Sequence, residues 1–297
     1  MKEKSYGFRG YMLYVYLGLF AVMALVGTFL DRPIAQGIYI GPNGFSDLFE
    51  YVGTLPISVL LGSSGVLFYL FFKKRNGKHD ALYAWIGLIV CVLISGGFWG
   101  FDTFHRHIVH KAWSWFLIGI PAIAVLEIPM YFFLRNGDTA LYRKKAVMII
   151  VVGVLLMFLT FGIKFLMVRP RPMYLFTLSE AEQDEMYRNW YQFNHDKTGL
   201  DGVESYMYQS WPSGHASFTA GLSLCVILAP CNKKTAGKEL YFFLGALLWN
   251  VLTMLSRMLD GHHFLSDVAF GMLFGFLPPL LYVYFAQKKE EKAGEIA

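Results

Sequence analysis

Eight stretches of this chain are long and apolar enough to cross a lipid bilayer. They lie at about residues 11–30, 55–72, 82–101, 113–134, 146–168, 213–230, 239–259 and 265–286. A span needs roughly 20 predominantly apolar residues, so the expected fold is an all-α, polytopic bundle of about eight membrane helices. The charge content agrees: 16% of the 297 residues are charged, against about 25% in soluble domains. The first stretch follows Lys2, Lys4 and Arg9 in the manner of a signal peptide. It is too long for one, and no small-x-small cleavage site stands before Asp31-Arg32-Pro33, so it reads as a retained anchor.

The net charge of +5 matters less than its distribution. With the N-terminus inside, segments 1–10, 73–81, 135–145, 231–238 and 287–297 are cytoplasmic and hold 17 of the 26 Lys and Arg. Short basic loops on one side are what the positive-inside rule expects. Both termini are therefore placed in the cytoplasm, and a bacterial plasma membrane is the expected location. Positive charge scattered over short loops is no nucleic-acid footprint. Cys91, Cys225 and Cys231 lack paired spacing, so neither a disulfide nor a zinc site is expected.

Two polar features interrupt the first half. The loop from Asp102 to Lys111 carries His105, Arg106, His107 and His110 but has no second ligand cluster, and reads as interfacial. Glu127 stands inside the fourth stretch, where a carboxylate is costly and suspected of function. Its place beside Pro129, toward the cytoplasmic end, makes snorkelling or pairing the simpler expectation. Residues 31–54 read as an outer loop with a short surface helix. Residues 172–211 are acidic and aromatic, with overlapping capping-box patterns from Thr177 and Ser179 that predict a helix start.

The chemistry is concentrated in three strings of the second half. In the first, Lys164 and Arg171 are two helical turns apart and would share a face of a continuous helix. Pro170 and Pro172 disfavour helix before them, so the helix is expected to end near Val168 with Arg171 curling back. The second, Pro212-Ser213-Gly214-His215, opens a span: Ser213 is a plausible N-cap, Gly214 permits close ligand approach, and the helix N-terminus suits an anion. His215 in that first turn can donate a proton. In the third, Arg257 ends one span while His263 and Asp267 stand at i and i+4 where the next begins. That spacing is expected to let Asp267 take the proton of one imidazole nitrogen and leave a lone pair on the other, giving a nucleophile toward phosphorus. His262 falls off that face and is expected to be interfacial and dispensable.

These strings, Lys-x6-Arg-Pro, Pro-Ser-Gly-His and Ser-Arg-x5-His-x3-Asp, resemble the tripartite pattern of the type 2 phosphatidic acid phosphatase superfamily, the acid phosphatase/haloperoxidase group, at full spacing. The resemblance covers roughly residues 145–286. It divides the chain into four N-terminal spans (1–144) of undefined role and a catalytic core (145–297). It implies that Lys164, Arg171 and Arg257 clamp a phosphate with help from Ser213 and the Gly214 N–H. It also implies that His263, held by Asp267, becomes a phosphohistidine, and that His215 protonates the leaving oxygen. No metal or other cofactor is implied, since three fixed cations can stabilise phosphoryl transfer electrostatically. The expected partner is a lipid phosphate or pyrophosphate in the outer leaflet of the membrane, with no nucleic acid. A lipid phosphotransferase is the alternative. A transporter of a phosphorylated solute ranks behind it, because the charges sit at span ends and no inverted repeat is visible.

Overall fold

A computed structural model of the chain describes residues 9–104, 112–164, 167–193, 195, 200 and 202–296; His105, Arg106, His107 and His110 lie outside them. Among the described residues, eight helical segments have the length and hydropathy of a span: Gly10–Ile38, Gly44–Arg75, Asp80–Thr103, Phe116–Leu134, Tyr142–Ile163, Gly214–Cys231, Glu239–Leu259 and Leu265–Lys289. In lipid only internally satisfied backbones survive, and among the described residues there is helix and no strand, with one isolated bridge between Arg169 and Gln209. This is an integral membrane helix bundle. Phe29 and Phe158, each 74% exposed, stand on its outer surface, where lipid rather than water is the solvent.

In chain order the helices are α1 (Gly10–Ile38), α2 (Gly44–Val52), α3 (Leu55–Arg75), α4 (Asp80–Phe104), α5 (Ala112–Leu134) and α6 (Tyr142–Ile163). They continue with α7 (Pro172–Leu175), α8 (Glu180–Met186), α9 (Gly214–Gly221, prolonged as a 3₁₀ helix over Leu222–Cys231), α10 (Glu239–Leu259) and α11 (Leu265–Ile296). Helices α3, α4 and α5 pack on one another, and α3 leans on α6. Helix α9 sits between α10 and α11, while α1 runs along α11, with Tyr16 stacked on Phe276 at 4.6 Å. The packing of α1 thus cuts across a division of the chain at residue 144.

Several expectations are corrected. The stretch from Asp31 is not loop: α1 continues through Pro33 to Ile38, and Asp31 is buried on it by bonds to Arg169 and Ser266. Helix α6 ends at Ile163, not Val168, with Lys164 as its C-cap, and by Arg169 the chain is bonded to another segment. There the N–H groups of Arg169 and Arg171 donate to the carbonyls of Tyr208 and Met207 at 3.0 and 2.8 Å. Glu127 does not snorkel. It is 4% exposed, accepts a bond from the Ser63 hydroxyl at 3.3 Å, and lines an apolar cavity between α3, α4 and α5. The capping box at Ser179 does form: the Ser179 hydroxyl accepts from the Glu182 N–H and the Glu182 carboxylate from the Ser179 N–H at the start of α8. The short surface helix expected within 31–54 is α2, capped by the Asn43 side chain on the Ser46 N–H at 3.0 Å. All three cysteines are free thiols, and Cys231 accepts a bond from the Lys145 ammonium at 3.2 Å.

Candidate active site

The ends of α6 and α10 and the starts of α9 and α11 meet at one end of the bundle, and the three strings meet with them. One polar cavity of about 40 Å³ is lined by Lys164, Arg171, Gly214, His215, Arg257, His262 and His263, joined by Asp102, Phe161, Tyr206 and Phe218. At ~10–15 Å³ for each water-sized group, it has room for about three such groups, the scale of a phosphate's free oxygens. Lys164 caps α6, and its Nζ lies 3.9 Å from where a Cβ on Gly214 would stand, so the ammonium faces the opening of α9. Arg171 is 2% exposed; its guanidinium lies over the Tyr206 ring at 3.8 Å and donates to the carbonyls of Tyr206 (2.7 Å) and His262 (3.2 Å).

Two predicted site residues stand outside that lining. Ser213 is fully buried, and its hydroxyl accepts from the Ala216 N–H at 3.4 Å. It therefore caps α9, as its sequence position predicts, rather than facing the cavity. Asp267 stands behind His263. Its carboxylate is 3.9 Å from His263 Nδ1, beyond hydrogen-bond reach, because the i,i+4 geometry requires helix between the two residues and α11 begins only at Leu265. The expected Asp267–His263 bond is thus replaced. His263 Nδ1 lies 2.6 Å from the Ser210 carbonyl oxygen, and a carbonyl can only accept, so Nδ1 carries the proton and Nε2 the lone pair. Asp267 instead accepts from the Ser210 hydroxyl at 2.6 Å and the Phe264 N–H at 2.8 Å.

Burial, reinforced by the charges of Arg171, Lys164, His262 and Arg257, pulls His263 well below the ordinary imidazole range. The ring is therefore neutral and its lone pair available at physiological pH. The turn that presents it depends on Gly261, whose φ of +74° favours glycine and ends α10. From there the N–H groups of His262 and His263 both donate to the Arg257 carbonyl at 3.1 Å.

His262 is not interfacial. Its Nδ1 lies 2.6 Å from Asp260 Oδ1 and 3.0 Å from the Arg257 guanidinium, and its ring lines the cavity. Asp260, Glu50 and His262 are close enough together to resemble a metal-binding triad. The Arg257 guanidinium contacts all three, with Glu50 at 3.3 Å, and so supplies the positive charge at their centre. That arrangement fixes one cavity-lining cation between two carboxylates and an imidazole.

Sequence reasoning missed the layer beneath the site. Arg169 is fully buried, bridging Asp267 and Asp31 and donating to Ser266 at 2.9 Å and to the Arg188 carbonyl at 2.8 Å. Burial alone would favour loss of its proton, but the carboxylates of Asp267 and Asp31 outweigh that and hold it above the ordinary arginine value. The available signal was the Arg-Pro-Arg-Pro run, in which only the second arginine fitted the motif. Glu50 and Asp102 were missed because they come from α2 and α4, far from the motifs in sequence. Asp102 is held by the Thr54 hydroxyl at 2.8 Å.

Comparison with known families matches residues 145–291 to the model described as the PAP2 superfamily. No curated protein and no solved structure matches the chain.

Proposed function

Because its C-terminal half, residues 145–291, places this chain in the PAP2 superfamily, we propose that it is a membrane lipid phosphatase acting through a phosphohistidine at the extracytoplasmic face. Membership supports phosphatase activity. The observation that carries the finer reading is the single cavity where Lys164, Arg171, Gly214, His215, Arg257 and His263 converge, with His263 held in the tautomer that has its lone pair on Nε2. The substrate phosphate enters this cavity, and the three cations hold its non-bridging oxygens. Nε2 forms the bond to phosphorus as the bond to the leaving oxygen breaks, and that oxygen takes its proton from His215. Water then attacks phosphorus, His215 takes the water's proton, the electron pair of the P–N bond returns to Nε2, and inorganic phosphate leaves. Lipid is the favoured substrate because the site lies at span ends, where a headgroup arrives first. The extracytoplasmic assignment rests on the basic loops at the opposite ends of the helices.

The test is inorganic phosphate release by the purified protein in detergent with EDTA present. The panel is undecaprenyl pyrophosphate, phosphatidylglycerol phosphate, phosphatidate and a phosphorylated glycolipid. We expect release from at least one lipid, undiminished by EDTA because Arg257 supplies the charge within the only triad resembling a metal site among the described residues. Activity that vanishes in EDTA and returns with a divalent ion would overturn the metal-free reading. Transfer of the phosphoryl group to an added lipid alcohol without phosphate release would favour the phosphotransferase.

His215→Gln is expected to slow phosphoenzyme formation from alkyl phosphates, read by rapid quench, by about 10²–10⁴-fold, the usual contribution of a general acid. Phosphoenzyme formation from aryl phosphates, whose leaving oxygen needs no proton, should be affected much less. Equal losses on both classes would remove His215 from the leaving-group role.

A further inference from the structure

We infer that Asp31, on the first membrane helix and outside the residues matched to the family, is a positioning residue for the His263 nucleophile. The inference rests on the reading of His263 given above. Asp31 is 1% exposed on α1, and its Oδ1 accepts from the Ser266 N–H at 2.9 Å. Its Oδ2 accepts from the Arg169 guanidinium at 2.9 Å and from the Ser266 hydroxyl. The same guanidinium grips Asp267 Oδ1 through its other terminal nitrogen. Asp267 Oδ2 takes the Ser210 hydroxyl at 2.6 Å, and the Ser210 carbonyl takes the His263 Nδ1 proton at 2.6 Å. An unbroken series of bonds therefore runs from α1 to the reacting ring. The helices are shaped for it: a Cβ on Gly27, one turn before Asp31, would lie 3.0 Å from the Ser266 backbone nitrogen, so a larger residue would push α1 off α11.

Charge gives this series a purpose beyond packing. Two carboxylates and one guanidinium leave the buried group with a formal charge of −1 behind the Nδ1–H. On the cavity side His263 faces Arg171, Lys164, Arg257 and His262, which oppose positive charge on its ring. The ring of a histidine phosphorylated on Nε2 and protonated on Nδ1 is cationic, so it gains its charge against that opposition even while the same cations hold the anionic phosphoryl oxygens. Negative charge on the Nδ1 side is an electrostatic device that favours the intermediate over the free imidazole. With Asp31 neutralised, the buried group is formally neutral, and the intermediate loses that support while the phosphate clamp is untouched.

The experiment compares wild type, Asp31→Asn and Asp31→Glu as full-length protein in detergent. Steady-state phosphate release is followed by rapid-quench measurement of acid-labile phosphohistidine. The stoichiometry of inorganic phosphate binding counts folded sites, and its affinity reports the clamp. Asp31→Asn is expected to lower kcat per phosphate-binding site, and with it the phosphohistidine burst, by about 10–100-fold, the cost seen for hydrogen-bond partners behind metal-bound histidines. KM and the affinity for phosphate should stay unchanged, and Asp31→Glu should restore most of kcat. Where Asp31→Asn gives no folded protein, Asp31→Ser carries the same expectation. A purely structural Asp31 would instead reduce the number of phosphate-binding sites and leave kcat per binding site at the wild-type value, which overturns the inference. So would a folded Asp31→Glu as slow as Asp31→Asn. A wild type that turns over without any phosphohistidine would overturn the nucleophile itself, which is a separate failure.

Discussion

Replacing His263 with alanine is expected to lower kcat by about 10⁴-fold or more, since removal of a covalent nucleophile leaves only binding and electrostatic help. Its neighbour gives the sharpest contrast. His262→Ala removes an imidazole that touches Arg257 and Asp260 but leaves the lone pair of His263 in place. It should act chiefly on phosphate affinity, raising KM by about tenfold, the equivalent of one charge-assisted hydrogen bond at ~1.4 kcal/mol. Both enzymes would be assayed for phosphate release and for trapped phosphohistidine, with folding checked by thermal midpoint. The assignment fails if the losses in kcat are equal, or if His263→Ala still forms a phosphoenzyme. The reason for expecting a wide gap is geometric. The Ser210 carbonyl fixes the His263 tautomer at 2.6 Å with the lone pair on Nε2, whereas the His262 ring is tied to the Asp260 carboxylate and the Arg257 guanidinium as part of the cation's surroundings.

The second large effect is on stability. Arg169→Met should destabilise the protein by about 3–5 kcal/mol, the usual consequence of removing one partner from a buried ion pair. The side chain is fully buried and satisfies Asp31, Asp267, Ser266 and the Arg188 carbonyl at once. Its loss would leave two buried carboxylates with no guanidinium between them. The surrounding rings make methionine the fairest replacement, because Phe264 lies 4.4 Å from the guanidinium carbon and can pack on an unbranched chain. A melting curve in detergent reads the result, and a midpoint unchanged from wild type would mean the buried triad contributes nothing net. Together the two substitutions separate chemistry from scaffold: one should leave a folded, inactive protein, the other a protein that unfolds early.

The helices and most of the side chains that line the polar cavity were legible before any coordinates. Apolar runs of about 20 residues can do little in a bilayer except form helices, and local signals such as the Ser179–Glu182 capping box act within a few residues. Lys164, Arg171, His215, Arg257 and His263 were found by spacing because their chemistry lies in short strings, and they do share one cavity. What misled was treating i,i+4 as contact: Asp267 and His263 have that spacing, but the helix begins between them. His262 was set aside by the same argument, although a turn at Gly261 carries it into the cavity beside His263.

By itself, then, the sequence determined a polytopic helical membrane protein and the residue types of a phosphate-handling site, because hydropathy and short motifs are local properties. Only the tertiary structure decided which groups act on which. Asp31, Glu50 and Asp102 lie more than 60 residues from any motif residue in sequence, and nothing in their neighbours marks them. They reach the site because α1 packs on α11 and α2 on α10, while α4 is carried in by its packing on α3 and α2 and meets α9 through Phe98 against Phe218. There, burial turns ordinary charges into a fixed array, since a carboxylate or guanidinium removed from water must find its partner within the protein.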